Sequence, residues 1–377
     1  MSLPDSSFLE RRQARVREAL DSLNLDALIV TEAVNIRYLT NHVGSAGVLV
    51  LTRDAAHLLV DFRYEAAVQA LQDSAAACPA LRKWSVPGSY DEALVGCLLE
   101  IGVSTAGFEA SHMSVARHEW LTRMLAGRQA ALTLRSTEEI IERARMIKDS
   151  SEIALLRSAA AALAPVVDLA IAAVREGVTE RAVAAVIEAA LRDAGFDRPA
   201  FDTIVASGPN SALPHYRAGN RVLARGDLVV LDFGGVLGGY CSDLTRTVAL
   251  GTPDSEARRV HTVVLDAQQA AIAAVRSGAE ASSVDTAARM VLENQGLGDA
   301  FGHGTGHGLG LDVHELPRIT RPRPDIPPVT LRPGMVFTIE PGAYRAGWGG
   351  VRIEDDVLVT ETGCEVLTTS RRDLLTR

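Results

Sequence analysis

The sequence contains no run approaching the roughly 18 unbroken apolar residues of a membrane span, so no membrane partner is expected. Its first twenty residues, MSLPDSSFLERRQARVREAL, lack the apolar core of a secretory signal and read instead as a charged first helix. Cysteine is scarce. Cys78, Cys97, Cys241 and Cys364 form no CxxC pair and no zinc-finger spacing, which argues against a disulfide framework or a cysteine metal site. Reduced thiols in a cytoplasmic protein are the expectation. There is no basic excess either: the net charge is −9 and the pI about 5.5. Nucleic acid and anionic membrane both reward basic patches, so neither is expected as a partner, and a small or peptide substrate fits better. What the chain does have is 47% hydrophobic and 23% charged residues over 377 positions, enough for two globular domains with large cores.

The N-terminal segment reads as α/β. Short apolar strands are expected at Leu25–Val30, Ala46–Thr52, Ala56–Asp61 and Ser104–Phe108, with helices at Arg63–Gln72, Asp91–Gly102 and Ser114–Leu125. His42, His57, His112 and His118 are isolated there and read as surface or core histidines. The texture changes between Arg135 and Lys148, where a charged helical stretch leads into a long alanine-rich helix. The expected domains are therefore 1–135 and 136–377.

The second segment repeats itself. Val174-Arg175-Glu176-Gly177 recurs as Val275-Arg276-Ser277-Gly278, and Leu191 and Gly195 recur as Leu292 and Gly296. Further on, LARGDLVVLDFGG (223–235) matches LRPGMVFTIEPGA (331–343), setting Asp232 against Glu340. Each half is expected to run helix, helix, strand, hairpin. The first hairpin carries Asp232 and Asp243, the second Glu340 and Glu354, all among apolar neighbours that imply burial. A lone acid in such a place would be a turn cap or a solvated group. Four, two per hairpin in duplicated halves, are a different matter. Two carboxylates about 4 Å apart repel by roughly 4 kcal/mol at an effective dielectric near 20. Such a group must take up protons, find cationic side chains or bind metal, and Arg352 alone cannot balance it.

A nitrogen ligand is available in FGHGTGHGLGLDVHE (301–315), whose glycines allow close backbone approach and whose central histidine is His307. A phosphate-cradling loop would want a helix N-terminus with lysine or arginine beside it, and this stretch has neither.

These residues resemble the pita-bread metallopeptidases, in the branch containing prolidase and aminopeptidase P. The stretches that carry the likeness are SGPNSALPHY (207–216), LDFGGVLGGYCSDLTRT, HGTGHGLGLDVHE, EPGAY (340–344) and GVRIEDDVLVT, which span most of 148–377. NIRYLT (35–40) and VDFRY (60–64) resemble, more loosely, the smaller creatinase-like domain of the same proteins. Methionine aminopeptidases share the ligand pattern but typically lack that domain. The fold implied is α+β: a pita-bread (creatinase/aminopeptidase) domain with internal duplication, preceded by a creatinase-like α/β domain.

The resemblance implies two divalent ions, with Asp243 and Glu354 bridging them, Asp232 on one, and Glu340 and His307 on the other. It implies Glu340 as general base, His215 as substrate binder and proton carrier, and His314 as donor to the scissile carbonyl oxygen. His303, Tyr344 and Arg352 would line the proline pocket and support the ligands. Arg318 would grip the C-terminal carboxylate of an Xaa-Pro dipeptide, a task suited to its planar fork. Prolidase activity on dipeptides is thus favoured over an aminopeptidase P acting on longer peptides, and over a non-catalytic peptide-binding protein, whose mark would be lost ligands. Four oxygens and one nitrogen suit Mn²⁺ first, then Co²⁺ or Zn²⁺. A homodimer is expected from the same likeness.

Overall fold

The computed structural model describes residues 3–324 and 327–377 and divides the chain into two compact units, Met1–Arg145 and Met146–Arg377. In the first, α1 (Ser6–Ser22), β1 (Ala27–Val30) and α2 (Ala33–Thr40) lead to β2 (Val48–Thr52) and β3 (Ala56–Val60). Then follow α3 (Phe62–Gln72), β4 (Leu81–Ser85), α4 (Tyr90–Ile101), β5 (Thr105–Glu109), α5 (Val115–Gly127), β6 (Thr133–Thr137) and α6 (Ile140–Arg145). One mixed sheet, β4-β3-β2-β1-β5-β6, organises the unit. Strands β1, β2 and β3 are buried at every position, which is why they read in sequence as nearly continuous apolar runs. The edge strands β4 (LRKWS) and β6 (TLRST) are charged and half exposed, and their sequences give little sign of them.

Those edge elements move the boundary. β6 pairs in parallel with β5, Tyr38 Oη donates to the Ala144 carbonyl, and Arg145 donates to Asn35 Oδ1 at 2.7 Å. The first unit therefore keeps residues 136–145, and the division falls after Arg145 rather than after 135.

The second unit shows the duplication in three dimensions. Its first half is α7 (Ser150–Ala173), α8 (Glu180–Asp193), β7 (Arg198–Pro199), β8 (Ile204–Ser207), β9 (Leu228–Leu237) and β10 (Tyr240–Ala249). Its second half opens with α9 (Ser255–Ala274), α10 (Ala281–Asn294), β11 (Gly306–Gly308) and β12 (Glu315–Ile319). It continues with β13 (Val336–Ile339), β14 (Gly342–Arg345), β15 (Gly349–Arg352) and β16 (Asp355–Val359), and β17 (Cys364–Val366) and β18 (Leu375–Thr376) close the chain. Gly177 N–H donates to the Leu223 carbonyl just as Gly278 N–H donates to that of Leu331. The matched glycines share positive φ, 84° and 83° at Gly177 and Gly278, 94° and 89° at Gly226 and Gly334. Only glycine enters that region without strain, so the repeat survives best where the backbone demands it.

Helix α7 begins with a capping box: the Asp149 carboxylate accepts from Glu152 N–H, and Glu152 reaches back to Asp149 N–H. Glu152 also accepts from the Tyr240 hydroxyl at 3.0 Å, tying α7 to β10. By length and composition α7 could cross a membrane, but its buried side (Ala159, Leu163, Val167, Ile171) packs in an apolar cluster with strand residues Leu231 and Phe233.

The second hairpin differs from the expected one. β13 pairs with β16 and β14 with β15, but the ladder is interrupted between them. Pro341 has no N–H to offer there, and Glu354 N–H turns instead to the Thr245 carbonyl at 3.1 Å. Glu340 and Glu354 thus sit in the break, not within a continuous strand.

Phe337 on β13 is fully buried opposite Val357. Phe337→Ala should lower unfolding free energy by roughly 3–5 kcal/mol in urea titration. A loss below about 1 kcal/mol would mean the site collapses around the smaller side chain.

Candidate metal centre

Strands β9 and β10 form an unbroken antiparallel ladder in which Asp232 lies opposite Thr245 and Asp243 opposite Gly234. Alternation puts all four on one face, with the two acids as diagonal neighbours. A methyl group at Gly234 would run into the Ser242 carbonyl, so the close approach of the strands beside Asp243 requires glycine. From the other half, Glu340 N–H donates to the Thr305 carbonyl at 2.8 Å. Glu354 accepts from Thr245 Oγ1 at 2.6 Å, which joins it to the first hairpin.

His307 enters on β11. Its Nδ1 lies 3.0 Å from the Gly308 carbonyl, which can only accept, so that nitrogen carries the proton. Nε2 then presents a lone pair, 3.6 Å from Glu340 Oε1 and 3.8 Å from Asp243 Oδ2. Acceptors face acceptors. One donor atom each from Asp243, His307 and Glu354 lies within 4.8 Å of the others.

Electrostatics expose the conflict. Burial, then Asp232 and its acidic neighbours, raise Asp243 well above the usual carboxylate range, and burial with Asp243 and Glu340 does the same to Glu354. Burial pushes Glu340 up to about 8. His307 is driven down to about 4, mainly by burial and then by His314. Oδ1 of both Asp232 and Asp243 is buried without a hydrogen-bond partner. Buried polar atoms are rarely left so, and an orphan needs a reason. Divalent cations among these oxygens would satisfy the orphans, use the His307 lone pair and offset the repulsion, so the donor set fits them.

Arg352 is 3% exposed and donates to Asp232 Oδ2, to Tyr344 Oη at 2.8 Å and to the Pro214 carbonyl. Burial opposes its charge, but Tyr344, Asp232 and Glu340 hold the charged form firmly. His303 Nδ1 lies 2.8 Å from the Gly304 carbonyl and its Nε2 3.0 Å from Tyr344 Oη. By the same logic Nδ1 donates and Nε2 accepts from the tyrosine hydroxyl. Burial pushes that hydroxyl up to about 12 and His303 down to about 4. The four residues make one polar line: Asp232, Arg352, Tyr344, His303.

His215, His314 and Arg318 are exposed. The His314 ring meets His307 edge-on with centroids 4.3 Å apart, and its pKa is lowered by the partial desolvation of that ring and by His215. His215 also lowers that of His303. Arg318 is the register partner of His307 across β11 and β12, so the two share a face, and it makes no ion pair among the described residues.

Two contributors escape a reading of the sequence. Asp356 accepts from Ser242 Oγ at 3.0 Å and from Asp243 N–H at 3.1 Å, fixing the backbone that carries Asp243. Its only signal is its place two residues after Glu354. Glu180, fully buried at the start of α8, accepts from Ser207 N–H and Oγ, Asn210 Nδ2, Tyr216 Oη and Gly219 N–H. One carboxylate thus shapes the 207–219 segment that bears His215, and nothing local announces it.

Comparison with known proteins identifies the family and the fold. The model of metallopeptidase family M24 matches residues 154–361, and that of the creatinase/prolidase N-terminal domain matches 12–147. The chain is 34% identical to an Xaa-Pro dipeptidase of Pyrococcus furiosus over 97% of its own length and all of that protein's. Among solved structures, an Xaa-Pro dipeptidase from Bacillus anthracis superposes with a TM-score of 0.90 at 34% identity, covering 98% of this chain and 100% of that one. An X-Pro aminopeptidase from Thermotoga maritima gives 0.85 at 32% identity, covering 97% and 99%. The expected α+β architecture, a creatinase-like domain followed by a pita-bread domain, is the one these matches share. With the catalytic-domain model spanning more than half of its residues, the chain belongs to metallopeptidase family M24.

Proposed function

We propose that the chain hydrolyses the imide bond before proline, in dipeptides above all, with two divalent ions held by Asp232, Asp243, His307, Glu340 and Glu354. The observation that carries this reading is the meeting of unpartnered carboxylate oxygens with the His307 Nε2 lone pair in one buried place. The bound ions would supply Lewis-acid polarisation of the scissile carbonyl and lower the pKa of a water. The chain's own residues do the rest. Glu340 takes a proton from the attacking water, and His215 carries one to the leaving proline nitrogen. His314 donates to the carbonyl oxygen as negative charge develops there. His303, Tyr344 and Arg352, locked by their mutual hydrogen bonds, wall the pocket for the pyrrolidine ring. An imide has no N–H to recognise, so shape must do the selecting.

Arg318, exposed and sharing a face with His307, is our candidate for the dipeptide carboxylate. The Thermotoga maritima relative, an X-Pro aminopeptidase, keeps a second reading open, action on longer peptides. Mn²⁺ is the ion we propose, ahead of Co²⁺ and Zn²⁺, because the donors are hard oxygens with one imidazole. We also propose a homodimer working in the cytoplasm, without nucleic-acid or membrane partners. The four cysteines, all free, accord with a reducing compartment.

Chelation should abolish hydrolysis of an Xaa-Pro dipeptide and added Mn²⁺ should restore it, with about two ions per chain by elemental analysis. Absence of turnover with Mn²⁺, Co²⁺ and Zn²⁺ alike would favour the non-catalytic peptide binder. Asp243→Asn should lower kcat/KM by at least roughly a hundredfold. In the same variant, the metal-free protein should melt no lower than the natural chain, because a buried like charge is gone, while Mn²⁺ should no longer raise Tm. Arg318→Ala should raise KM for a dipeptide roughly ten- to hundredfold and leave a matched tripeptide much less affected. Equal effects on the two substrates, or a natural preference for the tripeptide, would shift the assignment to the aminopeptidase.

A further inference from the structure

The stretch 301–305 has a structural problem of its own. It precedes β11, lies outside any ladder, contains Gly302 and Gly304, and still has to hold the His303 ring and the Thr305 carbonyl in place. A free glycine-rich segment would sample many conformations. Its restraint comes from α10. Asp285 and Arg289, one helical turn apart, form a two-pronged ion pair with both N–O distances at 2.9 Å. They are 0% and 6% exposed.

Each partner also grips the segment. Arg289 donates to the Phe301 carbonyl at 3.1 Å and to the His303 carbonyl at 2.9 Å, with its guanidinium 4.2 Å from the centre of the Phe301 ring. Asp285 Oδ1 accepts from Thr305 N–H at 3.0 Å and from Thr305 Oγ1 at 2.9 Å. Three alternate residues, 301, 303 and 305, are thus pinned by one ion pair. The grip passes on, because the Thr305 carbonyl accepts from Glu340 N–H at 2.8 Å. The Phe301 ring in turn meets His303 edge-on at 5.0 Å.

We infer that Asp285 and Arg289 are positioning residues: their ion pair sets residues 301–305 so that His303 and, through Thr305, Glu340 stand correctly at the candidate metal centre. The inference rests on the metal-dependent reading above. An ion pair kept only for stability would have no need of the loop. A buried pair is costly to desolvate and is often replaceable by apolar side chains without loss of stability, so holding a loop in register is a reason to keep one. Neither residue reaches the candidate ligands directly, and their effect is transmitted through the backbone.

The test is Arg289→Lys, which keeps the charge opposite Asp285 but lacks the fork that reaches two carbonyls at once. Calorimetric titration of the metal-free protein with Mn²⁺ alone should show Kd weakened roughly tenfold or more, and kcat on an Xaa-Pro dipeptide should fall by a similar factor. KM should change far less, and near-UV circular dichroism should report a folded chain. Mn²⁺ affinity and kcat equal to those of the natural chain, whatever happens to Tm, would overturn the inference. Should Arg289→Lys fail to fold, Thr305→Val leaves the ion pair intact and removes one donor to Asp285. It should move both readouts in the same direction by less, and no movement would be equally fatal. A natural chain that neither binds Mn²⁺ nor cleaves the dipeptide overturns the functional reading and this inference with it. An active natural chain with unaffected variants overturns the inference alone.

Discussion

Glu354 meets three demands at once. Its backbone N–H leaves its own ladder for the Thr245 carbonyl, its carboxylate accepts from the Thr245 hydroxyl, and burial among Asp243, Glu340 and Asp232 makes its charge untenable without a counter-ion. The hydrogen bonds can form only if the two hairpins touch. Once they touch, four acids share a small volume. The contact that joins the halves of the domain therefore creates the electrostatic conflict, and whatever relieves the conflict also strengthens the contact. Fold and candidate chemistry are in this sense a single constraint.

Duplication explains how the acids came to mirror one another, and its imperfection explains how they differ. The first hairpin is a continuous ladder of ten residues per strand, so Asp232 and Asp243 are held rigidly by their own strands. The second is split at Pro341, which frees the backbone at Glu340 and Glu354 to bond elsewhere, to Thr305 and Thr245. One hairpin acts as a platform and the other as a clamp. Arg352, at the end of β15 on the clamp side, reaches across to Asp232 on the platform, a direct link between the two halves. It occupies one oxygen of Asp232 and leaves the other without a partner.

The acids could be read from the sequence because strand ends, glycine turns and the internal repeat are local patterns. Asp232 against Glu340 is a match in register, and burial followed from apolar neighbours. The scaffolding could not be read that way. Glu180 acts on residues 27 to 39 positions away and Asp356 on one 113 positions back, and no periodicity encodes such bonds. The interruption at Pro341 was present in the letters but looked like a turn following a strand. In the first unit, β6 was hidden because an edge strand with one wet face carries threonine, arginine and serine where a central strand carries valine and leucine. That one omission displaced the domain boundary.

The depth of each group also bears on what it can do. Asp232, Asp243, Glu354 and Arg352 are buried, with Asp232 bonded to Arg352 and Glu354 to Thr245, so they have little freedom to respond to different substrates. His215, His314 and Arg318 are exposed, on segments fixed from behind by buried carboxylates or strand pairing. Arg318 is exposed on the strand that pairs with the His307 strand and shares a face with it, so its distance from that histidine is set by a ladder and not by a loop. On the proposed reading, in which Arg318 takes the substrate carboxylate, that rigid spacing from the reacting centre acts as a ruler for substrate length. It favours a peptide whose C-terminus lies one residue beyond the cleaved bond, and a longer chain could be accommodated only by letting the arginine contact go.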